Sequence, residues 1–155
     1  PAGLVAERAL ERFAEVDFWK WNYGVTLGVN ASRLVGVTGR LDWGDQIFFD
    51  DRPFLGRGAR VGLNVTLRPM ARLQSDINLD TSRLIDTRAG DLEVFNVKLV
   101  RALTTYQLTE RLLFRNITEY NTFAKTLGVN LLATYRLNAG TAVFLGYDDH
   151  YRQRD

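Results

Sequence analysis

Between positions 20 and 31 the chain reads Lys20-Trp21-Asn22-Tyr23-Gly24-Val25-Thr26-Leu27-Gly28-Val29-Asn30-Ala31. The odd positions are apolar or aromatic; the even ones are Lys, Asn, Gly and Thr. An extended backbone sends successive side chains to opposite sides, so strict period two makes this stretch a strand with one apolar and one polar face. The same pattern returns at Ala59, Val61, Leu63, Val65 and Leu67 against Arg60, Gly62, Asn64 and Thr66. It returns again at Leu127, Val129, Leu131, Ala133, Tyr135 and Leu137 against Gly128, Asn130, Thr134 and Arg136. Weaker copies cover residues 35–43, 71–79, 112–120 and 141–147.

These repeats predict an all-β chain folded as an antiparallel up-and-down meander of about eight long strands. All 155 residues are read as one domain. Residues 1–16 stand apart: Ala6, Ala9, Leu10 and Phe13 have helical spacing, yet a strand fits them equally well. Around residues 95–107 the polar phase changes, with Asn96 and Lys98 even but Arg101 and Gln107 odd. That change predicts a bulge near Leu99 and Val100.

The connections between strands are expected to alternate, short at 30–33, 68–71, 109–111 and 138–140, longer at 45–58 and 83–91. Short turns at one end, longer loops at the other and strands of roughly 11 to 15 residues point to a transmembrane barrel of the bacterial outer membrane. The mean hydropathy of -0.16 agrees, because only alternate side chains would face lipid. No run approaches the roughly 18 apolar residues of a spanning helix. Aromatic residues gather near strand ends at Phe18, Trp19, Trp21, Tyr23, Trp43, Phe48, Phe49, Tyr147 and Tyr151, where an interfacial girdle would lie. A soluble barrel with its apolar face turned inward around a small apolar ligand is the alternative, since alternation alone does not distinguish inside from outside.

The polar phase assigns Arg40, Arg60, Arg72, Asp76, Asp80, Lys98, Arg101, Arg115, Glu119 and Arg136 to a lumen, where opposite charges are expected to pair. A cation site at the outer rim is a further candidate, with Asp50 and Asp51 in one loop and Asp148, Asp149 and His150 near the last strand's end. The bland reading of both clusters is solvated loop surface. The chain has one histidine and no cysteine, so it offers no thiolate metal site, no disulfide and no identifiable Ser–His–Asp set. No catalytic residue and no cofactor is expected. The formal charge of +2 is spread along the chain, unlike the concentrated footprint that nucleic acid requires.

Three stretches, LRPMARLQSDINLDTSRLIDTR from Leu67, VKLVRALTTYQLTERLLFRNITEYNTFAKTLGVN from Val97 and LLATYRLNAGTAVFLGYDDHYRQRD from Leu131, resemble a family of bacterial outer-membrane barrels that is a domain of unknown function. The segment WGDQIFFDDRPFLGRG from Trp43 is similar to a loop of the same family. The resemblance implies outer-membrane lipid and the barrel-assembly machinery as partners. Full-length members carry a carbohydrate-binding-like domain before the barrel, which implies a structural or transport role tied to a glycan. It also implies a final strand after Asp155, so that this chain is a piece of a larger barrel; keeping both termini on the periplasmic side further requires a strand before Phe18, of which residues 4–16 are a candidate remnant.

Overall fold

A computed structural model describes residues 2–13, 16–49 and 53–152. Period two becomes nine strands, β1 (Ala2–Phe13), β2 (Val16–Asn30), β3 (Val35–Phe48), β4 (Phe54–Met70), β5 (Leu73–Asp86), β6 (Leu92–Gln107), β7 (Leu112–Asn121), β8 (Thr126–Asn138) and β9 (Thr141–Arg152). They form one sheet in sequence order, every neighbour antiparallel, with β1 and β9 at its two edges. Eight strands were expected between Phe18 and Tyr151, and β2 to β9 are those eight. The ninth is the N-terminal segment, where the strand alternative holds: β1 pairs along its whole length with β2. A backbone lying beside an open strand edge gains a ladder of hydrogen bonds that a short helix there would forgo.

The turns are closed by short polar side chains that accept from the backbone two or three residues on. Ser32 Oγ accepts from the amides of Leu34 and Val35, Thr109 Oγ1 from Arg111 and Leu112, and Asn138 Oδ1 from Gly140. At the other end Asn121 Oδ1 accepts from Phe123 and Ala124, and Lys125 takes a left-handed φ of 50°. A single 3₁₀ turn, η1 (Thr87–Ala89), is capped by Asp86 and leaves through Gly90 at φ 74°. The Asp86 carboxylate also grips the Arg88 side chain at 3.0 and 3.1 Å, which raises the guanidinium pKa above its ordinary value.

Two expectations change. The loop foreseen at 45–58 is largely strand: Asp45 pairs with Arg57, Gln46 with Gly56, Ile47 with Leu55 and Phe48 with Phe54. The segment 83–91 likewise shrinks to η1 and its flanks, so the two ends of the sheet differ less in loop length than the sequence suggests. The cause is local packing that the period-two reading missed. Leu84 is fully buried, Phe54 nearly so, Phe48 lies 5.3 Å from Phe54, and the Arg88 guanidinium sits 3.9 Å above the Phe54 ring. A side chain at Gly56 or Gly58 would intrude on this cluster or on Gln46.

The bulge also moves. Between β5 and β6 the register shifts where Leu84 pairs with Phe95 and Ile85 with Glu93, leaving Val94 as the extra residue. From Leu99 to Gln107 the pairing of β6 with β7 is unbroken, so no bulge lies at Leu99 or Val100. Asn96 and Lys98 simply project from the opposite face to Arg101 on one continuous strand.

Candidate functional site

Cross-strand partners share a face, and following the register across the sheet sorts the side chains into two sets. One runs through Asn22, Asp42, Arg60, Ser82, Asn64, Asn78, Arg101, Glu119 and Asn130; the other through Val25, Leu41, Val61, Leu63, Leu79, Val100, Tyr120 and Leu131. The apolar set is the open one. Trp21, Leu27, Val29, Leu63, Phe114, Leu131, Tyr135 and Leu145 are all exposed, whereas only Ile47, Phe54 and Leu84 are buried apolar residues among those described. The chain thus leaves much of its hydrophobic face uncovered.

That face has a sharp charged border. Among residues on it, the first charge met toward the η1 end is Asp17 on β2, Asp45 on β3, Arg57 on β4, Arg83 on β5, Lys98 on β6 and Asp149 on β9. In register, Asp45 lies four residues below Asp17 and opposite Arg57; Arg83 lies two below that, Lys98 two further and Asp149 four further. Below this diagonal no charged side chain projects from the apolar face of β2 to β9. Arg8 on edge strand β1 departs from the line, its guanidinium lying 4.5 and 5.0 Å from the Trp19 and Trp21 ring centres. Trp19, Trp21, Trp43, Tyr120 and Tyr151 follow the border, with Tyr23 and Trp43 stacked at 5.7 Å. Tyr106, Phe114 and Tyr135 form a second aromatic row at the turn end, which the sequence reading did not single out.

Of the ten residues assigned to a lumen, Arg40, Arg60, Asp76, Asp80, Arg101, Arg115, Glu119 and Arg136 share the polar face. Arg72 lies in the β4–β5 turn and donates from its guanidinium to the Leu108 carbonyl at 3.3 Å. Lys98 is a correction: it pairs with Thr81 on the apolar side, where it belongs to the charged border. Charge pairing is partial. Arg40 chelates Asp42 at 2.6 and 3.0 Å, and Arg101 stands 4.0 Å from Glu119. The middle of the face is a neutral and anionic ladder: Asn64 donates to Asn78 at 2.6 Å, while Thr66 and Gln74 donate to the two Asp76 oxygens at 2.6 and 2.8 Å. This face is crowded, since a Cβ at Gly24 would lie 2.7 Å from Asp42 Oδ1 and one at Gly36 2.9 Å from Asn30 Oδ1.

Of the rim cation candidates, only Asp148, Asp149 and His150 fall among the described residues. Asp50 and Asp51 lie outside the described residues. The pleat separates the rest: Asp148 and His150 pair with Asn130 and Gly128 on the polar face, while Asp149 turns to the other side and accepts from the Tyr147 hydroxyl at 2.8 Å. Among the described residues no group of three or more His, Cys, Asp or Glu could hold a metal ion. Among the described residues no helix is long and apolar enough to cross a membrane, which says nothing of crossing by β-strands. No family profile, curated protein or solved structure matches the chain.

Proposed function

We propose that this chain forms wall of a bacterial outer-membrane β-barrel, with its apolar face against lipid and its polar face lining an aqueous interior. The observation that carries this reading is the charge-free exposed face and its diagonal border. In a tilted strand array, a band of constant membrane depth must slip along the register from strand to strand. The border slips twelve residues over the seven steps from β2 to β9, and eight over the six from β3. With a rise of about 3.4 Å per residue and strands about 4.8 Å apart, that corresponds to a tilt of roughly 40 to 50°. Membrane barrels tilt their strands by about 35–45°. A soluble monomer gains nothing from such alignment and is penalised for so large an uncovered apolar surface.

Strands of 10 to 17 residues match or exceed the roughly 9–11 needed to cross the hydrocarbon. Aromatic rows at both ends of the band fit the two interfaces. The crowded glycines of the polar face suit the inside of a closed wall. In lipid, β1 and β9 must find partners, with each other or with further strands, because unpaired amides and carbonyls there cost several kcal/mol each. The role proposed is structural or transport-related and non-enzymatic. The sequence resemblance extends it to passage or presentation of a glycan, with the assembly machinery as a transient partner.

One observation favours the second reading, a soluble barrel for an apolar ligand: a groove of about 550 Å³ on the apolar face, lined by Tyr106, Phe114, Leu131 and Leu145 among others. Fractionation separates the two. Membrane association that resists urea and requires detergent for release is the expected result; a monodisperse soluble chain would sink the membrane reading.

A further inference from the structure

The turn end of the polar face gathers arginines from separate hairpins. A recess of about 520 Å³ is lined by Arg33 from the β2–β3 turn, Arg68 from the end of β4 and Arg72 from the β4–β5 turn. A neighbouring recess of about 200 Å³ holds Arg111 and Arg136, and the two share Gln107 and Leu113 in their walls. Arg115 pairs with Thr105, which lines the larger recess. Two carboxylates stand among these arginines, Asp76 in the wall of the larger recess, where it attracts Arg68, and Glu110 in the wall of the smaller, so positive charge is in excess. Asp76 is occupied by Thr66 and Gln74, and among the described residues none of the six arginines makes an ion pair with a carboxylate. Arg68 is held by the Gln74 amide oxygen at 3.1 Å and Arg72 by the Leu108 carbonyl, neutral acceptors that orient a guanidinium without cancelling its charge.

We propose that this end of the polar face is an oxyanion-binding site, built to take phosphate or carboxylate groups of a solute. Planar guanidinium forks offer paired donors that match such groups, and arginines outnumbering the carboxylates round these recesses favour a ligand with more than one negative charge. The Gln74 amide oxygen and the Leu108 carbonyl already orient two of the forks, so less ordering remains for the ligand to drive. The site does not depend on what covers the opposite face of the sheet.

The test is calorimetric titration of pyrophosphate into the full chain, folded in detergent or in buffer if it proves soluble, at constant ionic strength. Saturable binding that weakens by about tenfold or more in Arg33→Gln/Arg68→Gln/Arg72→Gln is expected. Arg57→Gln/Arg83→Gln/Arg88→Gln removes the same charge at the other end and should bind as the parent does. Vesicles of phosphatidylglycerol and of phosphatidylcholine distinguish the source of the oxyanion: arginine-dependent preference for the former, competed by pyrophosphate, assigns the site to a lipid headgroup. Should the triple variant fail to fold, Arg68→Gln alone is read in its place. Absence of saturable binding together with no vesicle preference, or equal loss in both triple variants, overturns the proposal. Flotation of the same samples is scored separately, so pyrophosphate binding by a chain that does not float would reject the membrane reading and keep this one.

Discussion

At the scale of single residues, the two faces of β8 give the sharpest contrast, because Asn130 and Leu131 are adjacent and opposite. Asn130 donates to Asp148 at 3.4 Å on the polar side, while Leu131 is exposed in the middle of the uncharged band. Leu131→Arg is expected to cost roughly 2 to 4 kcal/mol when folding is measured by denaturant in lipid vesicles, and Asn130→Arg far less. Equal costs would remove the distinction between the faces. Gly44 and Gly39, both on β3, make a second pair. Gly44 has φ 146°, and a Cβ there would collide with the Trp21 carbonyl oxygen and lie 2.9 Å from Asn22 Cα. Nothing lies within 4 Å of a Cβ at Gly39. Gly44→Ala should destabilise by about 1 to 3 kcal/mol, while Gly39→Ala should leave the unfolding midpoint unchanged or slightly raised.

At the scale of elements, strand β6 carries the most informative departure from its sequence. Val94 is an extra residue opposite Leu84 and Ile85, so deleting it should close the bulge without moving any residue from Phe95 onward to the other face. Inserting a residue between Leu99 and Val100, inside the unbroken pairing with β7, should reverse the faces of one half of the strand and abolish folding. Heat-modifiable gel migration in detergent distinguishes the two outcomes; a folded insertion variant or an unfolded deletion variant would contradict the register. The alternation at 20–31, 59–67 and 127–137 was legible in the sequence because those stretches cross the full uncharged band. Lys98 was misplaced because period two reports alternation but not depth, and a lysine at the band's edge looks like a slipped phase. The strand pairing of residues 45–48 with 54–57 was hidden by Gly56 and Gly58, whose smallness reads as loop but serves the close approach of Leu84 and Gln46. The arginines at the turn end were visible individually; their convergence depends on pairing across β4 to β8, which no local pattern encodes. The short connection at η1 is the next test. Arg88 is exposed there, so added trypsin should cut intact cells after it if this end faces outward. Cutting at Arg72 or Arg111 instead would invert the orientation.

At the scale of the whole molecule, a nine-stranded antiparallel sheet leaves on one face an uncovered apolar band that is uncharged from β2 to β9, and makes the other face largely polar and cationic at one end. Water is a poor environment for the first face and a good one for the second, so the account stands or falls on what each face touches. The chain has no cysteine, which makes single-cysteine spin labelling unambiguous. The decisive measurement is a nitroxide scan along residues 127–136 of β8 in lipid vesicles, recording collision with oxygen, which concentrates in the bilayer, and with a water-soluble nickel chelate. The account predicts oxygen maxima at Leu127, Val129, Leu131, Ala133 and Tyr135, with chelate maxima out of phase at Gly128, Asn130, Leu132, Thr134 and Arg136. Reversed phases, or uniform chelate access at every position, would contradict it.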